Sequence, residues 1–113
     1  MIALSPDDEH VVLINTFVVK PDRSEELLEL LSRATEEAIR HLPGFLSANL
    51  HKSLDGTRVA NYAQWRSVAA LEMMYSNQQA QQHMKQAAAL ADSFEPILYT
   101  LRHASQTRAT PST

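Results

Sequence analysis

The chain has 113 residues, no cysteine and a net charge of −3 from interspersed acids and bases, which leaves room for one domain and excludes disulfides, thiolate metal sites, iron–sulfur clusters and cysteine nucleophiles. Hydrophobic residues make up 44% and charged residues 20%, too apolar a balance for disorder, and no basic patch suits nucleic acid or an anionic membrane. No run is long and apolar enough to span a bilayer, the acidic Asp7-Asp8-Glu9 is unlike a secretory signal, and a reducing cytoplasm is the expected compartment.

Residues 1–9 read as a polar lead-in, 10–103 as one folded domain and 104–113 as a flexible Ser/Thr-rich tail. From His10 to Lys20 the residues are β-branched and aromatic, as in a strand. Both of its faces, Val11/Leu13/Asn15/Phe17/Val19 and Val12/Ile14/Thr16/Val18, are largely apolar, so both need cover. Pro21 and Asp22 open a helix, with Asp22 and Glu25 spaced as a capping box. Leu27, Leu31, Ala34, Ala38 and Leu42 recur along it at helical spacing, until Pro43-Gly44 ends it. A hairpin follows, Phe45–Lys52 and Arg58–Trp65, around Ser53-Leu54-Asp55-Gly56, where Asp-Gly supplies positive backbone angles. Ser67 caps a short helix with Val68, Leu71 and Met74 or Tyr75 inward. A further helix from about Asn77 to Ala91 places Ala80, Met84, Ala87, Ala88 and Ala91 on one face, and a last strand runs from about Phe94 to His103. The order strand–helix–strand–strand–helix–strand predicts an α+β, ferredoxin-like split βαβ fold with an antiparallel sheet and helices on one face. The uncovered apolar face then calls for a second copy packed sheet to sheet.

The third strand carries the most informative residues. Alternation puts Val59, Asn61, Ala63 and Trp65 on one face, with Asn61 and Trp65 roughly 13 Å apart along the strand and small Ala63 between them. A carboxamide and an indole flanking a small residue suit the floor of a flat aromatic pocket; a core Trp with an Asn at the sheet rim has the same spacing. Asn15 stands among apolar neighbours on the Leu13/Phe17 face, either satisfied within the fold or reserved for a ligand. His83 lies at the border of the last helix's apolar stripe, able to look between helix and sheet or to keep a wet edge, whereas Lys85 lies beyond it. Phe17, Leu71, Met74, Tyr75 and Met84 are the expected apolar walls, with methionine suited to an adaptable pocket and equally to plain packing. No metal-ligand spacing, glycine-rich phosphate loop, nucleophile elbow or nucleotide fingerprint is present, so neither metal nor cofactor is expected.

At Pro43-Gly44-Phe45-Leu46-Ser47-Ala48, Ser53-Leu54-Asp55-Gly56-Thr57 and Val59-Ala60-Asn61-Tyr62-Ala63-Gln64-Trp65 the sequence resembles the antibiotic biosynthesis monooxygenase family, and within it the cofactor-independent oxygenases that convert aromatic polyketide anthrones to quinones. The resemblance runs from about His10 to His103 and implies a homodimeric α+β barrel acting on a small aromatic substrate and O2. It also implies that Asn61 and Trp65 hold the substrate's oxygens and the peroxy intermediate. Those oxygenases carry a basic residue about twenty positions after that Trp; an ungapped count reaches Lys85, which helical phase turns away, leaving His83 as the expected base or proton relay. Haem-degrading relatives pair an Asn on the first strand with this Trp, as Asn15 and Trp65 do, but their ligating His would fall where this chain has Met74 and Tyr75. The expected activity is thus cofactor-independent monooxygenation of a phenolic, anthrone-like or quinol substrate. Its alternatives are non-catalytic binding or a cyclase-like role on the same fold and, behind these, haem degradation.

Overall fold

Strand β1, Val11–Val18, is the centre of the molecule: the computed structural model, which describes residues 10–107, gives a four-stranded sheet ordered β2-β3-β1-β4 with every neighbouring pair antiparallel. Here β2 is Phe45–Lys52, β3 is Arg58–Trp65 and β4 is Ser93–Tyr99. Helices α1 (Ser24–Glu37), α2 (Val68–Ser76) and α3 (Gln78–Leu90) lie on one face, completing the ferredoxin-like arrangement. Val11, Leu13, Phe17 and Val19 point into this helical layer and are buried. They belong to two clusters, one around Trp65, Leu71 and Met74 and one around Phe17, Leu27 and Val59.

The first helix differs from the sequence expectation at both ends. Asp22 caps nothing; Pro21–Arg23 form a 3-10 turn, and α1 begins at Ser24. The backbone meets the need, since Arg23 N–H donates to the Lys20 carbonyl (2.8 Å) and Ser24 Oγ to that of Pro21 (3.0 Å). At the far end α1 stops at Glu37, and Ile39–His41 tighten into another 3-10 turn that keeps Ile39 and Leu42 packed on the core. Gly44 then requires its lack of a side chain: its φ is +83°, and a Cβ there would collide with the Ala70 methyl. Its carbonyl accepts from Arg66 N–H at 2.8 Å, tying the start of the hairpin to the end of β3.

Both hairpin strands take the boundaries their patterning suggests. In the turn only Gly56 has a positive φ (+75°); Asp55 does not, and its carboxylate acts instead as an acceptor. Thr57 Oγ1 (2.7 Å), Thr57 N–H (3.0 Å) and Ser53 Oγ (2.8 Å) all donate to Asp55 Oδ1. Those bonds, from Thr57 first, hold the Asp55 carboxyl at about 2. Beyond the hairpin, Ser67 Oγ accepts from Ala70 N–H (3.1 Å) at the start of α2, and Asn77 Oδ1 accepts from Ala80 N–H (2.9 Å) at the start of α3. Leu71 and Met74 face inward as expected, but Val68, in the first turn of α2, is exposed. Strand β4 ends at Tyr99, short of the expected His103, and is exposed along its whole length at the edge of the sheet. The lead-in at 1–9 and tail residues 108–113 lie outside the described residues.

Gly44→Ala is expected to destabilise the fold by about 1–3 kcal/mol, read as a lower urea midpoint at unchanged slope. Because the Asp55 pKa lies below that of an unfolded aspartate, its contribution to the turn is present above about pH 4 and fades as pH falls through about 2. An NMR titration of its side chain should give that low midpoint in the wild type and a higher one in a Ser53→Ala/Thr57→Val double variant, still below that of an unfolded aspartate because the Thr57 N–H remains.

Candidate active site

Between the helical face of the sheet and helices α1 and α3 lies a cavity of about 130 Å³. The sheet supplies Leu13, Asn15, Phe17, Asn61, Phe94 and Pro96; α1 supplies Leu31, Ala34 and Thr35; Ile39 comes from the turn after it. Met74 and Tyr75 close one end from α2, and His83, Met84 and Ala87 project from α3. Not one of these residues is an acid, a lysine or an arginine. Met84 (38% exposed), Phe94 (49%) and Pro96 are its exposed apolar residues, so the opening lies between α3 and β4.

Register puts the polar groups together. Asn15 on β1 stands directly opposite Asn61 on β3. Val19 N–H donates to the Thr57 carbonyl (2.9 Å), which sets the alternation so that odd-numbered β1 residues bond toward β3. Asn15 and Asn61 therefore face each other as a hydrogen-bonded pair, with their side chains about 5 Å apart at Cβ. On its other side Asn15 is opposite Pro96, whose ring nitrogen points away from β1 to the open edge, where a missing donor costs nothing.

Three atoms of this cavity are buried without a hydrogen-bond partner: Oδ1 of Asn15, Oδ1 of Asn61 and Nδ1 of His83. A buried polar atom left unpaired costs about 1–3 kcal/mol, a standing penalty that a ligand with matching polar atoms would remove. Half-turn rotation of a carboxamide exchanges its oxygen for its NH2, so each Asn can accept from a hydroxyl or donate to an oxyanion. Burial pushes the Tyr75 phenol up, which keeps it neutral and able to donate. Thr35 is committed elsewhere, its hydroxyl donating to the Leu31 carbonyl at 2.9 Å. His83 is the residue of this wall whose imidazole can serve as a proton acceptor and donor.

Of the residues singled out from sequence, Asn15, Phe17, Asn61, Met74, Tyr75, His83 and Met84 meet in this space. Ala63, Trp65 and Leu71 do not line it. Trp65 ends β3 beyond the cavity floor, only 1% exposed, packed edge-on against Phe45 (5.5 Å between centroids) in the cluster that holds Ala63 and Leu71. Lys85 is exposed and does not line the cavity, as helical phase indicated. The sequence reading missed Thr35, Ile39, Phe94 and Pro96 as lining residues. Only the pairing of β4 with β1, which sets Pro96 against Asn15 and Phe94 against Phe17, would have brought the last two in. A larger groove of about 480 Å³ runs between Leu42-Pro43 and α2, but it is open to solvent and none of the orphaned polar atoms belongs to its lining.

The antibiotic biosynthesis monooxygenase family model matches residues 10–91. The chain is similar to the tetracenomycin-F1 monooxygenase of Streptomyces glaucescens, 39% identical over 103 residues that cover 91% of each chain. Among solved structures it resembles a monooxygenase of Streptomyces coelicolor, the ActVA-Orf6 product, in complex with nanaomycin D. That match has 31% identity and a TM-score of 0.78, covering 91% of this chain and 96% of that one. SnoaB of Streptomyces nogalater, a cofactor-independent oxygenase, shares the fold at 22% identity and a TM-score of 0.75, covering 85% of this chain and 96% of that one. This chain belongs to the antibiotic biosynthesis monooxygenase family.

Proposed function

We propose that this protein is a cofactor-independent monooxygenase that oxidises a phenolic, anthrone-like or quinol aromatic with O2. The observation that carries this reading is the uncharged cavity in which Asn15, Asn61 and His83 each leave a buried polar atom without a partner. Support comes also from the tetracenomycin-F1 monooxygenase, whose likeness spans nearly the whole chain. The substrate's own electrons do the reduction, so the protein's task is to make the substrate anionic and hold it. The two carboxamides grip adjacent ring oxygens, and His83 takes the proton. Donors fixed in a dry site stabilise the resulting anion more than water would. One electron passes to O2, the two radicals combine into a carbon–oxygen bond, and protonation gives a substrate hydroperoxide. Loss of water from it leaves the quinone: a CH2 carbon and O2 become a carbonyl and H2O.

Trp65 enters this reading as a positioning residue. It braces the end of β3, four residues beyond Asn61, rather than reaching the substrate from its place beside Phe45. Met74 and Tyr75 stand where the haem-degrading relatives carry their ligating histidine, and Met74 is buried in the core, so haem degradation is not carried forward. No helix of the described residues is long and apolar enough to cross a membrane, and the reading places the enzyme in the cytoplasm.

The proposal includes a homodimer. The sheet face away from the helices presents Ile14 between Tyr62 on β3 and Ile97 on β4, with Tyr99 beside Val12, and Ile97 and Tyr99 are exposed. Pro96 blunts the open edge of β4, which leaves this face as the surface for a second copy.

Two experiments test this reading. In metal-free buffer with dithranol as a model anthrone, oxygen uptake should accompany quinone formation, and Asn61→Ala should lower kcat/KM about ten- to hundredfold while the protein stays folded. Trp65→Phe should instead lower stability by about 1–3 kcal/mol with a smaller kinetic loss. An Asn61→Ala enzyme as fast as the wild type would remove the site assignment. Sedimentation should find a dimer at micromolar concentration and a folded monomer for Ile14→Asp; a monomeric wild type would refute the pairing.

A further inference from the structure

Three methionines lie among the described residues, and their surroundings differ. Met73 is 62% exposed and lines the outer groove. Met74 is 5% exposed, held in the core cluster with Trp65 and Leu71. Met84 is 38% exposed at the opening of the inner cavity and follows His83 along α3, so its thioether shares a wall with the imidazole. With no thiol in the chain, thioether sulfur is the group on that wall most readily given an oxygen atom.

We propose that Met84 is an oxidation site whose sulfur takes an oxygen atom from an organic hydroperoxide held in the cavity. The proposal rests on the oxygenase reading, which supplies such a hydroperoxide from substrate and O2. Productive turnover ends when the peroxide loses water. In the side reaction the Met84 sulfur attacks the distal peroxide oxygen, so a sulfur–oxygen bond forms as the oxygen–oxygen bond breaks. Sulfur gives up two electrons and becomes the sulfoxide. The peroxide accepts them, and its own proton passes to the oxygen left on carbon, giving the substrate alcohol. No further oxidant or reductant enters. The new polar group stands at the opening through which an apolar ring must pass, which ties loss of activity to the number of turnovers completed. Met74 is a poorer acceptor, because its sulfoxide oxygen would sit in an apolar core with no partner.

Exposure ranks the methionines differently for the two sources of oxidant. Oxidant arriving from bulk water meets Met73 first; oxidant released inside meets Met84 first. The experiment is peptide mass spectrometry of the intact protein, counting added oxygen on each methionine after three treatments: dithranol with O2 and catalase, cumene hydroperoxide, and hydrogen peroxide. The ratio of Met84 to Met73 oxidation should be about fivefold or more higher in the first two than in the third. Dithranol consumed with Met73 oxidised at least as fast as Met84 would overturn the proposal and leave the oxygenase reading standing. Dithranol left unconsumed would count against the oxygenase reading. The cumene hydroperoxide arm would then decide by itself, Met84 ahead supporting the oxidation site and Met73 level or ahead overturning it.

Discussion

The register between β1 and β3 is the constraint from which the rest of the site follows. Side chains alternate along a strand, so a slip of one residue would send Asn15 to the opposite face of the sheet and separate it from Asn61. Apolar residues hold that register, not the asparagines. Leu13 opposite Ala63 and Phe17 opposite Val59 flank the amide pair on the same face and are buried, and exposing them to shift the strand would cost about 1.5–3 kcal/mol for each large side chain. Two clusters of ordinary hydrophobic residues, one at each end of the sheet's helical face, thereby fix the place of two carboxamides between them.

Keeping polar atoms dry and unpaired is unfavourable for folding, and the structure confines it to a few positions. The helix ends are satisfied by Ser67, Asn77 and the 3-10 turns, and the hairpin by Asp55, so the orphaned amides of the cavity stand out against a backbone whose needs are met. An uncharged lining matters equally. An acid beside the amides would repel a substrate anion, and a fixed cation would bind substrate so strongly before reaction that little of the interaction remained for the transition state. Amides, a phenol kept neutral by burial and an imidazole form a moderate set of partners, strengthened by the apolar side chains around them.

Much of this was legible in the sequence because the signals were local. The hairpin strands carry alternation bounded by Pro43-Gly44 and Asp55-Gly56, and their ends follow from it. Asn15 and Asn61 stood out as polar residues on apolar faces, and the helical wheel separated His83 from Lys85. What escaped depended on three-dimensional competition. The apolar stripe of α1 continues through Ile39 and Leu42, so periodicity alone could not show that the helix stops at Glu37 and passes those residues on through a tighter turn. Trp65 shares a face with Asn61, yet the cavity ends before it, because Phe45 and α2 fill the space at that end of the sheet. Phe94 and Pro96 enter the lining only through the pairing of β4 with β1, a contact between the two ends of the domain that no local pattern records.

The proline in β4 has a consequence for how the chain behaves beside other copies of itself. Its outer strand is exposed and rich in apolar residues, Phe94, Ile97, Leu98 and Tyr99, the kind of segment on which fibrils grow by adding one backbone to the next. Such growth needs a continuous row of N–H donors, and Pro96 interrupts the row at its middle. Pro96, the residue opposite Asn15, thus also works against cross-β polymerisation of the chain.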